Sequence, residues 1–224
     1  VTGEDITLKD LTVEKLRNAQ IPTSLHELTS FNGLAEWCRP FCGTSFHNNM
    51  AILSGALRRK RHFNLTEEEV NAFKNITQTE LTRLVHPNWS KPFMVYTDAS
   101  GHSISSILAQ EHGIIAHAGR KLSEREQRRA IPEKELLAVV FAVSSSHKDF
   151  LFGNHFRLFT DASAIKYLRD FRYSNSKIYR WSVLLSQFSF DIEHIKGELN
   201  PADYASRFLN NLQLKEGYES FYKN

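Results

Sequence analysis

The apolar residues of this chain recur with two periods, and the change from one to the other falls near residue 90. Before it, Leu25, Leu28, Phe31 and Leu34 follow helical spacing behind Thr23 and Ser24, either of which can cap the helix start. Pro40 ends the segment that follows. Thr66 ahead of Glu67, Glu68 and Glu69 marks another helix start, with acidic side chains favoured by the helix dipole. Val70, Phe73 and Ile76/Thr77 give that helix an apolar face. From Pro92 the pattern turns to short β-type runs between turn residues: 93–97, 103–109 and 113–118 predict an antiparallel meander. Ser123-Glu124-Arg125-Glu126 is a capping box that opens a helix. Pro132 suits the first turn of a second helix running through Glu135, Leu136, Val139, Val140 and Val143. A fourth strand is expected at 156–160, helical stretches at 162–168 and 176–186, and a fifth strand at 190–195. Asn200 or Pro201 opens a last helix.

Three strands in series, then alternating helices and strands, predict an α/β (α+β) fold: a mixed five-stranded sheet with flanking helices, preceded by a small mainly helical subdomain. The expected division is 1–90 for the helical segment, 91–210 for the sheet domain and 211–224 for a C-terminal tail. At 224 residues the chain has room for one ordinary domain and a smaller appended one, and its 41% hydrophobic and 24% charged content is that of a globular protein. The formal charge of +3 permits nucleic-acid binding without arguing for it alone. The two cysteines, Cys38 and Cys42, argue against a disulfide framework, and with His47 they match no finger spacing. Buried thiols in an intracellular setting are expected. No apolar run approaches membrane-spanning length and no signal-peptide core is present, so no membrane partner is expected. From its abrupt start the chain is expected to be a fragment of something longer.

Four acidic residues carry the chemical interest. Asp98 and Asp161 each end a β-type run within the same tetrapeptide, Thr-Asp-Ala-Ser. Glu135 sits among Leu136, Leu137, Ala138 and Val139 on a helix, and Asp203 falls in the first turn of the last helix. Singly, an Asp after a strand is usually a turn former or cap, and Asp203 would be a helix-start acid. Glu135 is harder to set aside, since carboxylates are seldom buried without a partner. Together the four would repel one another unless cations answer them, which is what a metal-dependent phosphoryl-transfer site requires. The basic cluster Arg58-Arg59-Lys60-Arg61-His62 fits a solvated loop and a phosphate-backbone contact equally well.

In the stretches KPFMVYTDAS, ILAQ, AGRKLSERE, EKELLAVV, FLFGNHFRLFTDA, RWSVLLSQFSFDIEHIKG and NPADYASR, residues 91–208 resemble the RNase H domain of reverse transcriptases from gypsy-class LTR retrotransposons. The stretches occur in the family's order and nearly its spacing. The preceding segment is similar to the thumb and connecting region of the same polyproteins, through PTSLHELTSFNGLAEWCRPF, FNLTEEEVNAF and LVHPNWSKPF. The resemblance implies endonucleolytic cleavage of the RNA strand of an RNA–DNA hybrid. Asp98, Glu135, Asp161 and Asp203 would be ligands of two Mg²⁺ ions roughly 3.5–4 Å apart, with Asp98 bridging both and Mn²⁺ able to substitute. His194 matches a position where such enzymes place a His or Tyr near the scissile phosphate, for proton transfer or product release. The 2′-hydroxyl would mark the RNA strand. Arg120, Lys121, Arg125, Arg128 and Arg129 would hold a strand's backbone, their other reading being a solvated helix face.

The chain also departs from the family pattern. It has no Tyr-x-Asp-Asp, so it is not expected to synthesise DNA unaided. Ser105 stands where the family usually has Gly, Arg129 where it has Tyr, Ala162 where it has His, and Glu36-Trp37-Cys38-Arg39 where it has Tyr-Tyr-Arg. These changes spare the acids and bear on substrate handling. Three readings follow: an active RNase H; a domesticated RNase H-fold binding or scaffold module with weak or no catalysis; and, third, an integrase- or resolvase-type relative, against which the absence of a His/Cys zinc module counts. Expected partners are an RNA–DNA hybrid or other nucleic acid, with a homodimer or protein contact through the N-terminal helices.

Overall fold

The computed structural model describes residues 5–59, 63–160, 176–195 and 200. The N-terminal part folds as α1 (Asp10–Arg17), α2 (Leu25–Cys38), α3 (Thr44–Leu53) and α4 (Glu67–Thr77). Its start signals act as expected. The Ser24 hydroxyl accepts from the Glu27 amide, and Thr66 and Glu69 make both arms of a capping box, satisfying amides that the first turn leaves open. Leu28, Phe31 and Ala35 of α2 meet Phe46 and Met50 of α3 and Phe73 and Ile76 of α4 in one core, with the Phe31 and Phe73 rings 4.4 Å apart. The inner face of α4 carries Glu69 in place of the expected Val70, because its carboxylate closes the capping box and pairs with Arg59. Cys38 and Cys42 are buried free thiols in this core. The Cys42 Sγ donates to the Cys38 carbonyl at 3.1 Å, and burial pushes its thiol up.

The second part is a five-stranded sheet of β1 (Phe93–Ala99), β2 (Ser103–Gln110), β3 (Gly113–Lys121), β4 (Phe156–Thr160) and β5 (Phe190–His194) in the order β3-β2-β1-β4-β5. The first three strands form the antiparallel meander, and β4 and β5 add in parallel beyond β1. Between β3 and β4 lie α5 (Glu124–Gln127), opened by the Ser123–Glu126 capping box, α6 (Ile131–Phe141) with its proline in the first turn, a π-helical turn Ala142–Ser146 and α7 (Lys148–Leu151). A further helix, α8 (Ser176–Leu185), precedes β5.

Side chains alternate along β1, so Phe93 and Val95 point to one face and Tyr96 to the other. The first face packs under Leu136, Val139 and Val140 of α6 and Ile178 and Leu185 of α8. On the second, Tyr96 and Phe159 stack with centroids 4.6 Å apart in a cluster with Ile107 and Ile114. Helix α3 lies over β2 and β3 on that face: Thr44 and Ser105 hydroxyls meet at 2.8 Å, and the His47 ring rests against Gly119 so closely that a Cβ there would fall 2.6 Å from it. The helical segment is also tied along the outer side of β3, where Arg39 donates to the Gly119 carbonyl at 2.8 Å and the Val85 amide to Ile114 at 2.8 Å. Among the described residues no helix is long and apolar enough to cross a membrane.

Candidate active site at the carboxyl ends of the parallel strands

The parallel register of β1, β4 and β5 brings three strand ends to one edge of the sheet, the side where open sheets collect ligands. Asp98 lies next to the end of β1, the central strand, opposite Ser105 of β2 and partly exposed. Phe93 and Val95 bury the root of that strand, so the carboxylate projects from a fixed backbone. Glu135 comes from α6 and is 7% exposed. One turn further, Ala138 packs with Ile104 and with Ala99, the residue after Asp98, so the turn bearing Glu135 lies at this end of β1. Two of the four expected acids are thereby brought to the same end of the sheet. Asp161 and Asp203 lie outside the described residues. Thr160, just before Asp161, ends β4, and Asn200, three positions before Asp203, donates its side-chain amide to the Thr97 carbonyl at 3.0 Å. His194 is the last residue of β5, exposed and directly opposite Thr160.

Two features at this edge carry a sequence signal whose meaning emerges only with the fold. Thr97 and Thr160, the residues before the two repeated aspartates, are both buried, and among the described residues their hydroxyls have no hydrogen-bond partner. Asn200, legible in sequence only as a helix opener, is bonded to β1 immediately beside Asp98.

The basic residues divide by role. Arg120 grips Glu126 through two 2.9 Å bonds, and those bonds, ahead of the serine that caps α5, hold the Glu126 carboxyl down at about 2. Lys121 donates to the Ala51 carbonyl at 2.7 Å and to Ser54 at 3.1 Å, closing the end of α3. Arg129 lies 5.3 Å from the ring centre of Trp181, a cation–π contact. These three are engaged within the protein. Arg125 and Arg128 are exposed, and with Arg58, Ser123 and Glu124 they line an open groove.

Among the described residues no group of three or more His, Cys, Asp or Glu could hold a metal ion. Asp98 and Glu135 supply two hard oxygen donors, the ligand chemistry that Mg²⁺ and Mn²⁺ prefer.

Comparison with known proteins follows the same lines. The RNase H-like domain found in reverse transcriptase matches residues 88–188. The chain is 28% identical, over 98% of its length, to the retrovirus-related Pol polyprotein from transposon 297 of Drosophila melanogaster. It is 31% identical, over 90% of its length, to the one from transposon gypsy of the same fly. In both cases it spans 21% of the polyprotein. Among solved structures, the foamy viral protease-reverse transcriptase in complex with RNA/DNA hybrid superposes with a TM-score of 0.66 at 18% identity, covering 85% of this chain and 27% of that one. The same enzyme in complex with dsDNA gives 0.63 at 19% identity, covering 85% and 42%. The shared fold is the mixed five-stranded sheet with its flanking helices.

Proposed function

We propose, on the premise that residues 88–188 belong to the RNase H-like domain found in reverse transcriptase, that this chain cleaves the RNA strand of an RNA–DNA hybrid in a reaction dependent on divalent metal. The observation that carries the reading is that Asp98 and the helix turn holding the buried carboxylate of Glu135 lie at the same end of the central strand. Asp161, next to Thr160, and Asp203, three residues past Asn200, would complete an all-oxygen donor set suited to Mg²⁺ or Mn²⁺. When bound, such ions supply Lewis-acid stabilisation of phosphoryl oxygens and an activated water. Asp98 would orient the reacting phosphate at the strand end. Glu135 would hold its side of the site from a helix fixed by the apolar core. His194, exposed opposite Thr160, would move a proton at the departing oxygen.

The Pol polyproteins among the relatives, and the RNA/DNA hybrid in the foamy viral complex, support the substrate class. We take 1–90 as the helical segment, 91–210 as the nuclease unit and 211–224 as a tail. An intracellular setting and a protein contact through the N-terminal helices belong to the same proposal.

Incubation of the chain with a labelled hybrid in Mg²⁺ or Mn²⁺, beside Asp98→Asn and Asp161→Asn, tests it. The wild type should cut the RNA strand, lose the activity in EDTA, and outpace both variants by at least about 100-fold, the order expected when one group that stabilises transition-state charge is removed. Hybrid binding without cleavage in any of the three proteins would replace the nuclease with a binding module.

A further inference from the structure

We infer that the groove at the seam between the N-terminal helices and the end of β3 is a phosphate tract that holds the backbone of a nucleic-acid strand crossing the sheet edge. The inference rests on the hybrid-cleavage reading and adds to it a second point of attachment away from the carboxylates. The groove is formed by Arg58 from the helical segment and by Arg125 and Arg128 from the sheet domain, and it continues past Lys121. Arg58, Arg125 and Arg128 are exposed, and among the described residues none of the three is in an ion pair. Arg120, also at the groove, is already neutralised by Glu126, which leaves Glu124 as the lining carboxylate facing these cations. Like charges are gathered here from two separate parts of the chain. Their crowding is felt at Lys121, whose pKa is lowered first by burial and then by the charge of Arg58. Guanidinium groups at the lip of an open groove match the fork geometry of phosphate oxygens.

The sheet register sets where a strand would run. Asp98 is opposite Ser105, and Ser105 is opposite Gly119, so Lys121 lies two strands across and two residues along from Asp98. With strands about 4.8 Å apart and about 3.3 Å per residue, that separation is about 12 Å. A backbone whose scissile phosphate sits at Asp98 therefore reaches the groove within a few nucleotides.

The test is an anisotropy titration of a labelled 20-base-pair RNA–DNA hybrid in EDTA across a NaCl series. It compares the wild-type chain, Arg58→Ala/Arg125→Ala/Arg128→Ala and the corresponding triple Lys variant, each checked for an unchanged circular-dichroism melt. The Ala variant should bind more weakly, with the slope of log K against log salt reduced by about 0.9 for each phosphate no longer neutralised. The Lys variant should keep most of the slope. An Ala variant with wild-type affinity and slope overturns the tract, as does a Lys variant that binds as weakly as the Ala variant. Polyglutamate displacing the hybrid better than a mixed-sequence oligonucleotide overturns it in favour of an acidic protein partner. The two readings separate cleanly. If the wild type fails to cut while the slope still falls, the tract stands and the nuclease falls; intact cutting with an unmoved slope removes the tract alone.

Discussion

The three buried histidines make this fold lose stability steadily as pH falls below about 6.5 toward 4. His47 on α3, His117 on β3 and His147 after the π-helical turn are each buried, and burial is the first cause that lowers their pKa values, to about 3, 3 and 4. Arg39 and His117 add to the effect at His47, and His147 adds to it at His117. All three are therefore neutral in the folded chain at pH 5.5, while in the unfolded chain they titrate near 6.5. As pH falls through 6.5 the unfolded state takes up protons that the folded state refuses, so stability is lost as pH falls. From pH 7.5 to 5.5 the loss is about 1.4 kcal/mol for each histidine and about 4 kcal/mol for the three. Glu126, held down at about 2, gives up its stabilising contribution only as pH drops below its unfolded value of 4.5, outside the window. Urea denaturation followed by tryptophan fluorescence at the two pH values, at fixed ionic strength, measures the difference. His147→Gln, whose amide can replace the imidazole beside the Ser106 hydroxyl at 2.9 Å, should show a loss smaller by about 1.4 kcal/mol. A stability that is flat between pH 7.5 and 5.5, or an unchanged loss in His147→Gln, would refute the assignment of these histidines as neutral core groups.

Three more outcomes are expected. Gly119→Ala puts a Cβ 2.6 Å from the His47 ring and should destabilise the fold by about 1–3 kcal/mol, with part of that recovered when His47→Ala is added, as a urea double-mutant cycle would measure. Lys121→Met removes the donor to Ala51 and Ser54 at the end of α3 and should cost about 1–3 kcal/mol in the same assay while leaving the α6 core unchanged. Glu135→Gln, nearly isosteric, should keep the folded far-ultraviolet spectrum and lose metal-dependent hybrid cleavage by about 100-fold or more, an outcome read by gel.

Much of this architecture announces itself locally. The Thr66 and Ser123 capping boxes, Pro132 in the first turn of α6, and the spacing of β1 to β3 each declare an element through a few neighbouring residues, and each forms where expected. Helix α3 is different. It starts at Gly43 with no side-chain cap, so no start signal marks it, and Thr44, His47 and Asn49 share its buried positions with Phe46, Met50 and Leu53, so polar residues interrupt its apolar stripe. Its polar residues are buried because the partners lie far along the chain: Thr44 at Ser105, His47 at Gly119, and Asn75 reaching Asn49. The same distance effect engages Lys121 with α3 and Arg129 with Trp181, while Arg120 pairs with Glu126 only six residues on; all three read in sequence as candidates for holding a nucleic-acid strand. At the candidate site, Asp98 and Glu135 are legible as chemistry because one ends a strand and the other interrupts an apolar helix. The strand order that brings them to one edge is a property of long-range pairing.

The bonds from Arg39 and Val85 to the outer side of β3 have a consequence for the solution behaviour of shortened chains. A meander that ends on an open border offers amides and carbonyls to any passing strand, and natural sheets usually blunt that invitation with charge, twist or a covering segment. Here the helical segment is the covering. A chain cut at residue 90 would keep its strands and its carboxylates but present β3 bare, with Ile114 and Gly119 stripped of their partners. Such a piece would tend to pair with its own copies, so the helices act as a guard against self-association for the sheet they precede.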